Sequence, residues 1–245
     1  MSFNLNIEKY KQIFPNYPPV VQSNNWIYGI WMIGNYYKRK YNYHGEYPPS
    51  YLKRVYALFE GYGKVLHLFS GVVDKNEQYD ETTFDISSTG YEDRPQADIL
   101  GDAEKLNNYF NEVYFDLIIA DPPYTLDDAE RYGCTKLVNK KKVLHECYKI
   151  ANDGCYLIWL DLMIPIYTKK EWKLIGTIGL LTGTNRKVRI VSIFKKPEKK
   201  DHCIHEEDLA NLPEMFVYDT LKGKEEFLKG KYVSWDKDRH NKSEV

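Results

Sequence analysis

The stretch LIIADPPYT, residues 117–125, joins an apolar run to an acid, two prolines and a tyrosine. Neither Pro122 nor Pro123 has a backbone N–H, and each proline fixes its own φ and restricts the residue before it. The chain must therefore leave regular strand pairing abruptly. It then holds the Asp121 carboxylate, free carbonyls and the Tyr124 ring in a stiff arrangement. We expect such a segment at a functional site rather than in a core.

Strand-like and helix-like stretches alternate on both sides of this segment. Apolar runs bounded by glycines or acids predict the strands, and apolar residues at helical spacing predict the helices. The turn-rich TGTNRK, residues 182–187, predicts a hairpin between the last two strands. The predicted strands cover 64–71, 81–86, 97–100, 114–120, 155–160, 171–181 and 188–194, and the predicted helices cover 48–63, 101–110 and 141–152.

This alternation predicts an α/β fold, with a doubly wound, mostly parallel sheet that ends in an antiparallel C-terminal hairpin. The sheet domain is predicted over 49–196. It is preceded by an aromatic-rich segment, 1–48, and followed by a charged tail, 197–245.

Composition limits the cellular setting and the partners. The 245 residues carry a formal net charge of −1, so a polyanion would have to be bound by local basic patches. The longest apolar run is too short to cross a bilayer, and the start lacks the pattern of a signal peptide. The four cysteines form no CxxC pair, and His202, Cys203 and His205 lack an evident fourth ligand. We expect a cytoplasmic protein with no membrane partner and no metal site.

Four predicted strands end in groups that suit a ligand. In an open parallel sheet, ligands bind beyond the carboxyl ends of the strands. A glycine there lets the backbone approach a ligand closely, and an acid can accept hydrogen bonds from ribose hydroxyls. The four ends are His67–Gly71, Asp85, Asp102-Ala103 and Asp121–Tyr124.

These residues resemble a known family. FSG after one strand, an acid after the next, GDA after the third and DPPY after the fourth are similar to the class I S-adenosylmethionine-dependent methyltransferases. More narrowly, the chain resembles the DPPY-type amino-methyltransferases that modify exocyclic amines of DNA bases, in the small single-domain form that phages and prophages carry. The resemblance covers about 45–196 and implies a Rossmann-like methyltransferase sheet with S-adenosylmethionine as the cofactor.

The resemblance also implies roles for individual residues. Asp121 and the Pro122 carbonyl would accept hydrogen bonds from the target amine, with Pro123 holding the turn and Tyr124 stacking on the base. The other implied contacts are to the cofactor: Phe69, Ser70 and Gly71 at its methionine part, Asp85 at the ribose, and Asp102 with the Ala103 backbone at the adenine.

The chemistry agrees with these roles on independent grounds. An exocyclic amine of a base is a poor nucleophile because its lone pair is delocalised into the ring. Acceptors aimed at its N–H bonds favour a pyramidal nitrogen and stabilise positive charge as the methyl arrives. The base must be flipped out of a duplex or already unpaired, and stacking on an aromatic ring contributes roughly 1–3 kcal/mol.

Three features depart from the family pattern. His67 occupies the place where the family often has an acid that holds the amino group of the cofactor. Val72-Val73 replaces the second glycine of the family. Asp85 follows Gly71 at a short interval, so Asp80 or Glu81 is the alternative ribose ligand if the strand is misplaced. Asp102 has an alternative role of its own as a helix N-cap.

The DNA contacts would come from outside these strand ends. Arg186, Lys187 and Arg189 lie near the predicted sheet edge, where they could hold phosphates. The lysine run 140–142 is interpreted as a solvated helix start. The aromatic-rich segment 1–48 offers apolar surface for a subunit contact, so a homodimer is one expectation.

The function that the sequence predicts is methyl transfer from S-adenosylmethionine to the N6 amine of adenine in DNA, duplex with a flipped base or single-stranded. An Asp before PPY favours adenine over cytosine by resemblance. The alternatives are N4-cytosine, RNA or protein-amide methylation on the same fold, or a catalytically silent subunit that binds nucleic acid.

Overall fold

The structure is a computed structural model that describes residues 3–34, 47–86, 97–111, 114–182 and 188–198. Arg186, Lys187, His202, Cys203 and His205 lie outside the described residues. No helix among the described residues is long and apolar enough to cross a membrane.

A nine-stranded sheet organises the described chain, and a separate two-stranded sheet joins β1 to β4. The strand order of the large sheet is β2-β3-β10-β11-β9-β8-β5-β6-β7. The strands are β1 (Asn4–Leu5), β2 (Val21–Ser23), β3 (Trp26–Ile33), β4 (Phe59–Glu60), β5 (Lys64–Leu68), β6 (Asp80–Asp85), β7 (Ile99–Leu100), β8 (Phe115–Ala120), β9 (Ala151–Asp161), β10 (Lys173–Thr182) and β11 (Val188–Lys195).

Four α-helices and one 3-10 helix connect these strands. Their bounds are α1 (Ile7–Ile13), α2 (Tyr51–Ala57), a 3-10 helix (Ala103–Asn108), α3 (Leu126–Arg131) and α4 (Lys140–Ile150).

The pairing confirms the predicted fold class. The neighbours β5, β6, β7, β8 and β9 run parallel, whereas β11 pairs antiparallel with both β9 and β10. Strand β10 therefore points the same way as β9, and β3 pairs parallel with β10. As a result, the carboxyl ends of six long strands, β3, β5, β6, β8, β9 and β10, meet along one edge of the sheet. We call this the carboxyl edge.

Apolar side chains bury both faces of the sheet centre. Strand β8 is apolar except for Asp116, as expected for a central parallel strand covered on both sides. Its alternate residues belong to two separate core clusters. Leu117 and Ile119 pack under α1 and α2, whereas Ile118 and Ala120 pack under α4 and the 3-10 helix. We call these the α2 side and the α4 side of the sheet.

Two predicted helix boundaries are wrong. The helix predicted over 48–63 ends at Ala57, because Phe59 and Glu60 pair with the N-terminal strand β1. The helix predicted over 141–152 ends at Ile150, and β9 begins at the next residue. In both places a tertiary strand pairing takes residues that local propensity assigned to a helix end or a loop.

The aromatic-rich segment before residue 48 contributes to the same sheet. Strands β2 and β3 form a hairpin whose turn residues Asn24 and Asn25 both have positive φ, at 47° and 60°. Asparagine tolerates this conformation, which tight two-residue hairpin turns require. Because β3 also pairs with β10, the described residues of the predicted segment 1–48 extend the predicted sheet domain.

Candidate active site

The Asp121–Tyr124 segment leaves β8 at the carboxyl edge and turns at once into α3. Thr125 starts that helix with a reciprocal cap: its hydroxyl accepts from the Asp128 N–H at 3.2 Å, and the Asp128 carboxylate accepts from the Thr125 N–H at 3.2 Å. Together with the two prolines, this cap holds the short segment between two anchored ends. Pro122 is buried, and Asp121, Pro123 and Tyr124 are half-buried.

Asp121, Tyr124 and Arg189 form one polar cluster. The Tyr124 hydroxyl donates to the Asp121 carboxylate, and Arg189 donates to the Tyr124 oxygen at 3.2 Å. The guanidinium also lies 5.9 Å from the centre of the Tyr124 ring. Burial raises the pKa of Asp121 to about 7, although the Tyr124 hydrogen bond and the Arg189 charge oppose the rise. Asp121 is therefore a carboxyl that can gain or lose a proton near neutral pH.

A second acid, Asp161, ends β9, the parallel neighbour of the strand that precedes Asp121. Asp161 is fully buried, and its carboxylate accepts from the Trp159 indole at 3.1 Å and pairs with the Lys140 ammonium at 2.7 Å. Its charge adds to the rise in the pKa of Asp121. The lysine run 140–142 is therefore partly structural, because Lys140 neutralises an acid at the carboxyl edge.

Two tyrosines from the start of α2 approach Asp121 from the α2 side of the sheet. Tyr51 is fully buried, and its hydroxyl has no hydrogen-bond partner among the described residues. Burial raises the pKa of Tyr51 well above its usual value, and the charge of Asp121 adds to the rise. The Tyr47 ring stacks on the Tyr51 ring with centroids 5.4 Å apart, and the Tyr47 hydroxyl donates to the Ile119 carbonyl at 3.3 Å.

The loop after β5 is tied to the end of β6. Phe69 and Gly71 both have positive φ, at 56° and 54°, which costs a phenylalanine about 1 kcal/mol and a glycine little. This turn lets the Ser70 N–H donate to the Phe84 carbonyl at 3.2 Å and the Gly71 N–H donate to the Asp85 carboxylate at 2.8 Å. The other Asp85 oxygen accepts from the N–H of Ile86 at 2.7 Å.

The predicted strand position of Asp85 agrees with the structure. Asp85 is the last residue of β6 at the carboxyl edge, whereas Asp80 and Glu81, the alternatives, lie at the opposite end of that strand.

Asp102 caps the 3-10 helix, as the alternative reading of the sequence predicted. Its carboxylate accepts from the Glu104 N–H at 2.9 Å, and Ala103 is the buried first residue of the helix. The Lys105 ammonium lies 3.6 Å from the other Asp102 oxygen. A role in adenine binding stays a prediction.

His67 is fully buried on the α2 side, in a chain of hydrogen bonds. The Tyr56 hydroxyl donates to Glu81, so the His67 Nε2–H donates to the Tyr56 oxygen at 3.2 Å. Burial alone would raise the pKa of Glu81, but the nearby His67 ring, whose Nε2 lies 3.6 Å from the Glu81 carboxylate, and the Tyr56 hydrogen bond outweigh it and lower that pKa. The His67 Nδ1 atom has no hydrogen-bond partner among the described residues, and the ring lies 5.9 Å from that of Tyr47.

Electrostatic coupling links the predicted strand ends through two shared neighbours. Burial raises the pKa of Tyr47, and the charges of both Asp121 and Asp85 add to the rise. Burial also raises the pKa of Cys134, with smaller contributions from Asp85 and Asp102. Asp85 therefore shares one neighbour with Asp121 and another with Asp102.

Sequence reasoning missed several residues of this site. Tyr47 precedes Pro48-Pro49, so its segment has the same aromatic and double-proline composition as Pro122-Pro123-Tyr124, and that signal could have identified it. Arg189 was predicted to hold phosphates, but its described contact is to Tyr124; the phosphate role stays a prediction.

Among the described residues, no group of three or more His, Cys, Asp and Glu side chains could hold a metal ion.

No protein-family model matches the sequence, and no curated protein matches it. Several solved structures resemble the fold. TrmN from Thermus thermophilus is 16% identical, with 55% of this chain and 44% of TrmN covered, at a TM-score of 0.38. The N-methyltransferase NodS from Bradyrhizobium japonicum WM9, in complex with S-adenosyl-l-homocysteine, is 10% identical, with 56% and 80% covered, at a TM-score of 0.37. TehB from Haemophilus influenzae is 13% identical, with 56% and 58% covered, at a TM-score of 0.32. The chain spans less than half the length of TrmN.

Proposed function

We propose that this protein is an S-adenosylmethionine-dependent methyltransferase that acts on the N6 amine of adenine in DNA. The observation that carries the proposal is the Asp121–Tyr124 cluster. A carboxyl with a pKa of about 7 stands at a strand end beside an aromatic ring, and two prolines hold the backbone between them. An amine that must gain a methyl and lose a proton needs such an acceptor.

The residues at the carboxyl edge fit the cofactor. The buried Nδ1 atom of His67 has no hydrogen-bond partner among the described residues, and the methionine part of the cofactor would supply one. Asp85 would meet the ribose hydroxyls, since it ends β6 at the carboxyl edge beside the left-handed turn at Gly71. When bound, S-adenosylmethionine supplies an activated methyl group.

The chain's own residues then orient the base and handle its proton. Tyr124 would stack on the base, with the Arg189 guanidinium restraining its hydroxyl. The Asp121 carboxylate and the Pro122 carbonyl would accept from the two N–H bonds of the amine. The amine nitrogen becomes positive as it gains the methyl group and must then lose a proton. Asp121 can take up this proton, because the pKa of its carboxyl is near neutral.

The decisive experiment supplies methyl-labelled S-adenosylmethionine with duplex DNA, single-stranded DNA or RNA, and identifies the product nucleosides by mass spectrometry. N6-methyladenine from DNA is the expected product. Label in RNA or in N4-methylcytosine would contradict the proposed substrate. Asp121→Ala should abolish transfer and leave cofactor binding nearly unchanged, whereas Asp127→Ala, which changes an exposed acid of α3, should leave both unchanged.

One observation favours a second candidate, a catalytically silent subunit that binds nucleic acid. Asp85 and Asp102 both accept backbone N–H groups, so each has a structural role without any cofactor. Calorimetric titration of S-adenosylmethionine separates the two candidates. The methyltransferase predicts specific binding that His67→Phe and Asp85→Ala weaken, and the silent subunit predicts no specific binding.

A further inference from the structure

Strand β3 exposes four large apolar side chains on one side of the sheet. Trp26, Tyr28, Ile30 and Met32 alternate along the strand and are 39%, 46%, 50% and 59% exposed. The residues between them that face the other way include Ile27 and Trp31, which are buried in the core on the α2 side. The four exposed side chains therefore lie on the α4 side, although none of the described helices packs against them there.

The strand register extends this apolar surface across β10 to β11. Met32 pairs with Leu181, and Leu181 pairs with Val188; the latter two side chains are 37% and 55% exposed. Ile30 pairs with Gly179, where an added Cβ would meet no atom closer than 3.9 Å. We call the six exposed side chains the bare face: Trp26, Tyr28, Ile30, Met32, Leu181 and Val188.

The connection between β9 and β10 borders the bare face on the same side of the sheet. Its Tyr167 packs against Phe194, which belongs to the core cluster on the α4 side, at a ring separation of 5.0 Å. This connection also exposes three large apolar side chains, those of Met163, Ile164 and Ile166. Large apolar side chains are thus exposed on this connection as well as on β3.

The bare face carries no charged side chain. Strands β2 and β3 contain no Asp, Glu, Lys or Arg, and neither does β10 after Lys173. A nucleic acid requires cations for its phosphates, and these described strand residues supply none. Parallel strand pairs such as β3 and β10 are almost always covered on both faces, so an apolar partner is expected.

The size of the surface matches one half of a protein interface. With roughly 200 Å² of accessible area per large apolar side chain, the six members leave on the order of 600 Å² exposed. The three side chains of the β9–β10 connection raise this to about 900 Å², close to the contribution of each partner in a standard interface. A single small ligand would leave most of this area in water.

We propose that the bare face is the interface of a two-fold homodimer, in which the sheets of two copies pack face to face. A second copy brings an identical flat, uncharged surface, and the apolar character is that of homodimer rather than transient interfaces. Open space at Gly179 allows the side chains of the partner sheet to approach the middle of the face. Packed sheets lie about 10 Å apart, a distance that side chains of this size fill.

The test measures the mass of the full-length protein by sedimentation equilibrium from about 1 to about 100 µM, a range that detects dissociation constants in the micromolar region. The natural chain is expected to sediment as two copies of 29.0 kDa. Ile30→Glu and Met32→Glu should each raise the dimer dissociation constant at least about 100-fold, because each would bury unpaired carboxylates from both copies.

The matched control is Ile13→Glu. Ile13 is 42% exposed on α1, on the other side of the sheet, and its substitution should leave the dimer intact. Circular dichroism checks that each variant is folded; Met32, the most exposed member of the bare face, is the position least able to disturb folding. A natural chain that stays monomeric at about 100 µM, or a dimer that persists unchanged in both folded variants, overturns the proposal. A monomer would mean that another protein or another part of the chain covers the bare face.

Discussion

The Tyr124 hydroxyl donates a hydrogen bond to the Asp121 carboxylate, and the Tyr124 oxygen accepts from Arg189. Two opposing effects therefore act on one carboxyl. Burial disfavours its charged form, and the hydroxyl and the guanidinium favour it. Burial is the larger effect, so the pKa of Asp121 rises from 3.8 to about 7.

Methyl transfer should depend on pH through Asp121. Only the ionised carboxylate can take up the proton that the amine loses, so we expect kcat/KM to rise with pH to a plateau, with a midpoint at about 7. Asp121→Asn removes the charge and the proton acceptor, and should lower kcat/KM by about 100-fold or more. Initial rates over a pH series measure both effects. A midpoint near the ordinary pKa of a carboxyl would contradict the assignment.

Arg189 should set the position of that midpoint. Its charge lowers the pKa of Asp121, so Arg189→Gln should move the pKa upward by about 1 unit, and Arg189→Lys should restore part of the shift. Carboxyl carbon NMR of labelled aspartate follows the titration without any assumption about activity. Arg131→Gln serves as the control, since Arg131 is exposed on α3 and lies 4.0 Å from Asp128. Equal shifts in the two variants would rule out a specific role for Arg189.

As the pH rises from about 4 to about 7, the titration of Asp121 should lower the unfolding free energy of the natural chain. Its folded pKa lies above its unfolded value, so the folded state holds the proton more tightly, and raising the pH across this window favours unfolding. Asp121→Asn removes this effect. We compare the unfolding free energy of Asp121→Asn with that of the natural chain. The difference, variant minus natural chain, should be more positive at pH 8 than at pH 5 by on the order of 2 kcal/mol. Urea unfolding measures this difference, and Asp127→Asn, an exposed acid, should show no such dependence.

The Tyr51 hydroxyl, which has no hydrogen-bond partner among the residues that the structure describes, should be dispensable for folding. A buried hydroxyl without a partner costs free energy, so Tyr51→Phe should leave the unfolding free energy unchanged or raise it by up to about 1 kcal/mol. Tyr10→Phe is the contrasting variant, because the Tyr10 hydroxyl accepts from the buried Arg54 at 2.8 Å. It should cost about 1–3 kcal/mol. Equal losses in thermal or urea unfolding would show that the Tyr51 hydroxyl has a structural partner after all.

Lys140 should be a structural residue, whereas its neighbour Lys141 should not. Lys140→Met leaves the buried Asp161 carboxylate without its ammonium partner and should lower the unfolding free energy by about 3 kcal/mol. Lys141→Met changes an exposed side chain and should alter stability by less than about 0.5 kcal/mol. Similar unfolding curves for the two variants would contradict the role of the Lys140–Asp161 pair.

The long strands were predictable because their pattern is local. The apolar run before Asp121 and the alternating, turn-bounded hairpin of β10 and β11 identify strands without any knowledge of neighbours. Two short strands were not predictable in the same way. Phe59 and Glu60 form a strand only because Asn4 and Leu5 lie beside them, and that contact joins residues more than 50 positions apart.

The residues of the site also fall into a group that the sequence predicts and a group that it does not. Asp121, Tyr124, Asp85 and Asp102 follow predicted strands, so topology alone placed them at one edge. Asp161 also ends a strand, but nothing in its local sequence distinguishes it from other acids; its role depends on Lys140, Trp159 and Asp121, which come from three different elements.

The sequence by itself determined the strand and helix order, the stiff turn at Pro122-Pro123 and the acids at the strand ends, because each follows from backbone geometry and periodicity within a few residues. Only the tertiary structure decided the state of these groups. The burial that raises the pKa of Asp121, the approach of Arg189 to Tyr124 and the exposure of the bare face on β3 all depend on which distant residues pack nearby. Desolvation and packing are properties of the folded neighbourhood, and no short stretch of sequence contains them.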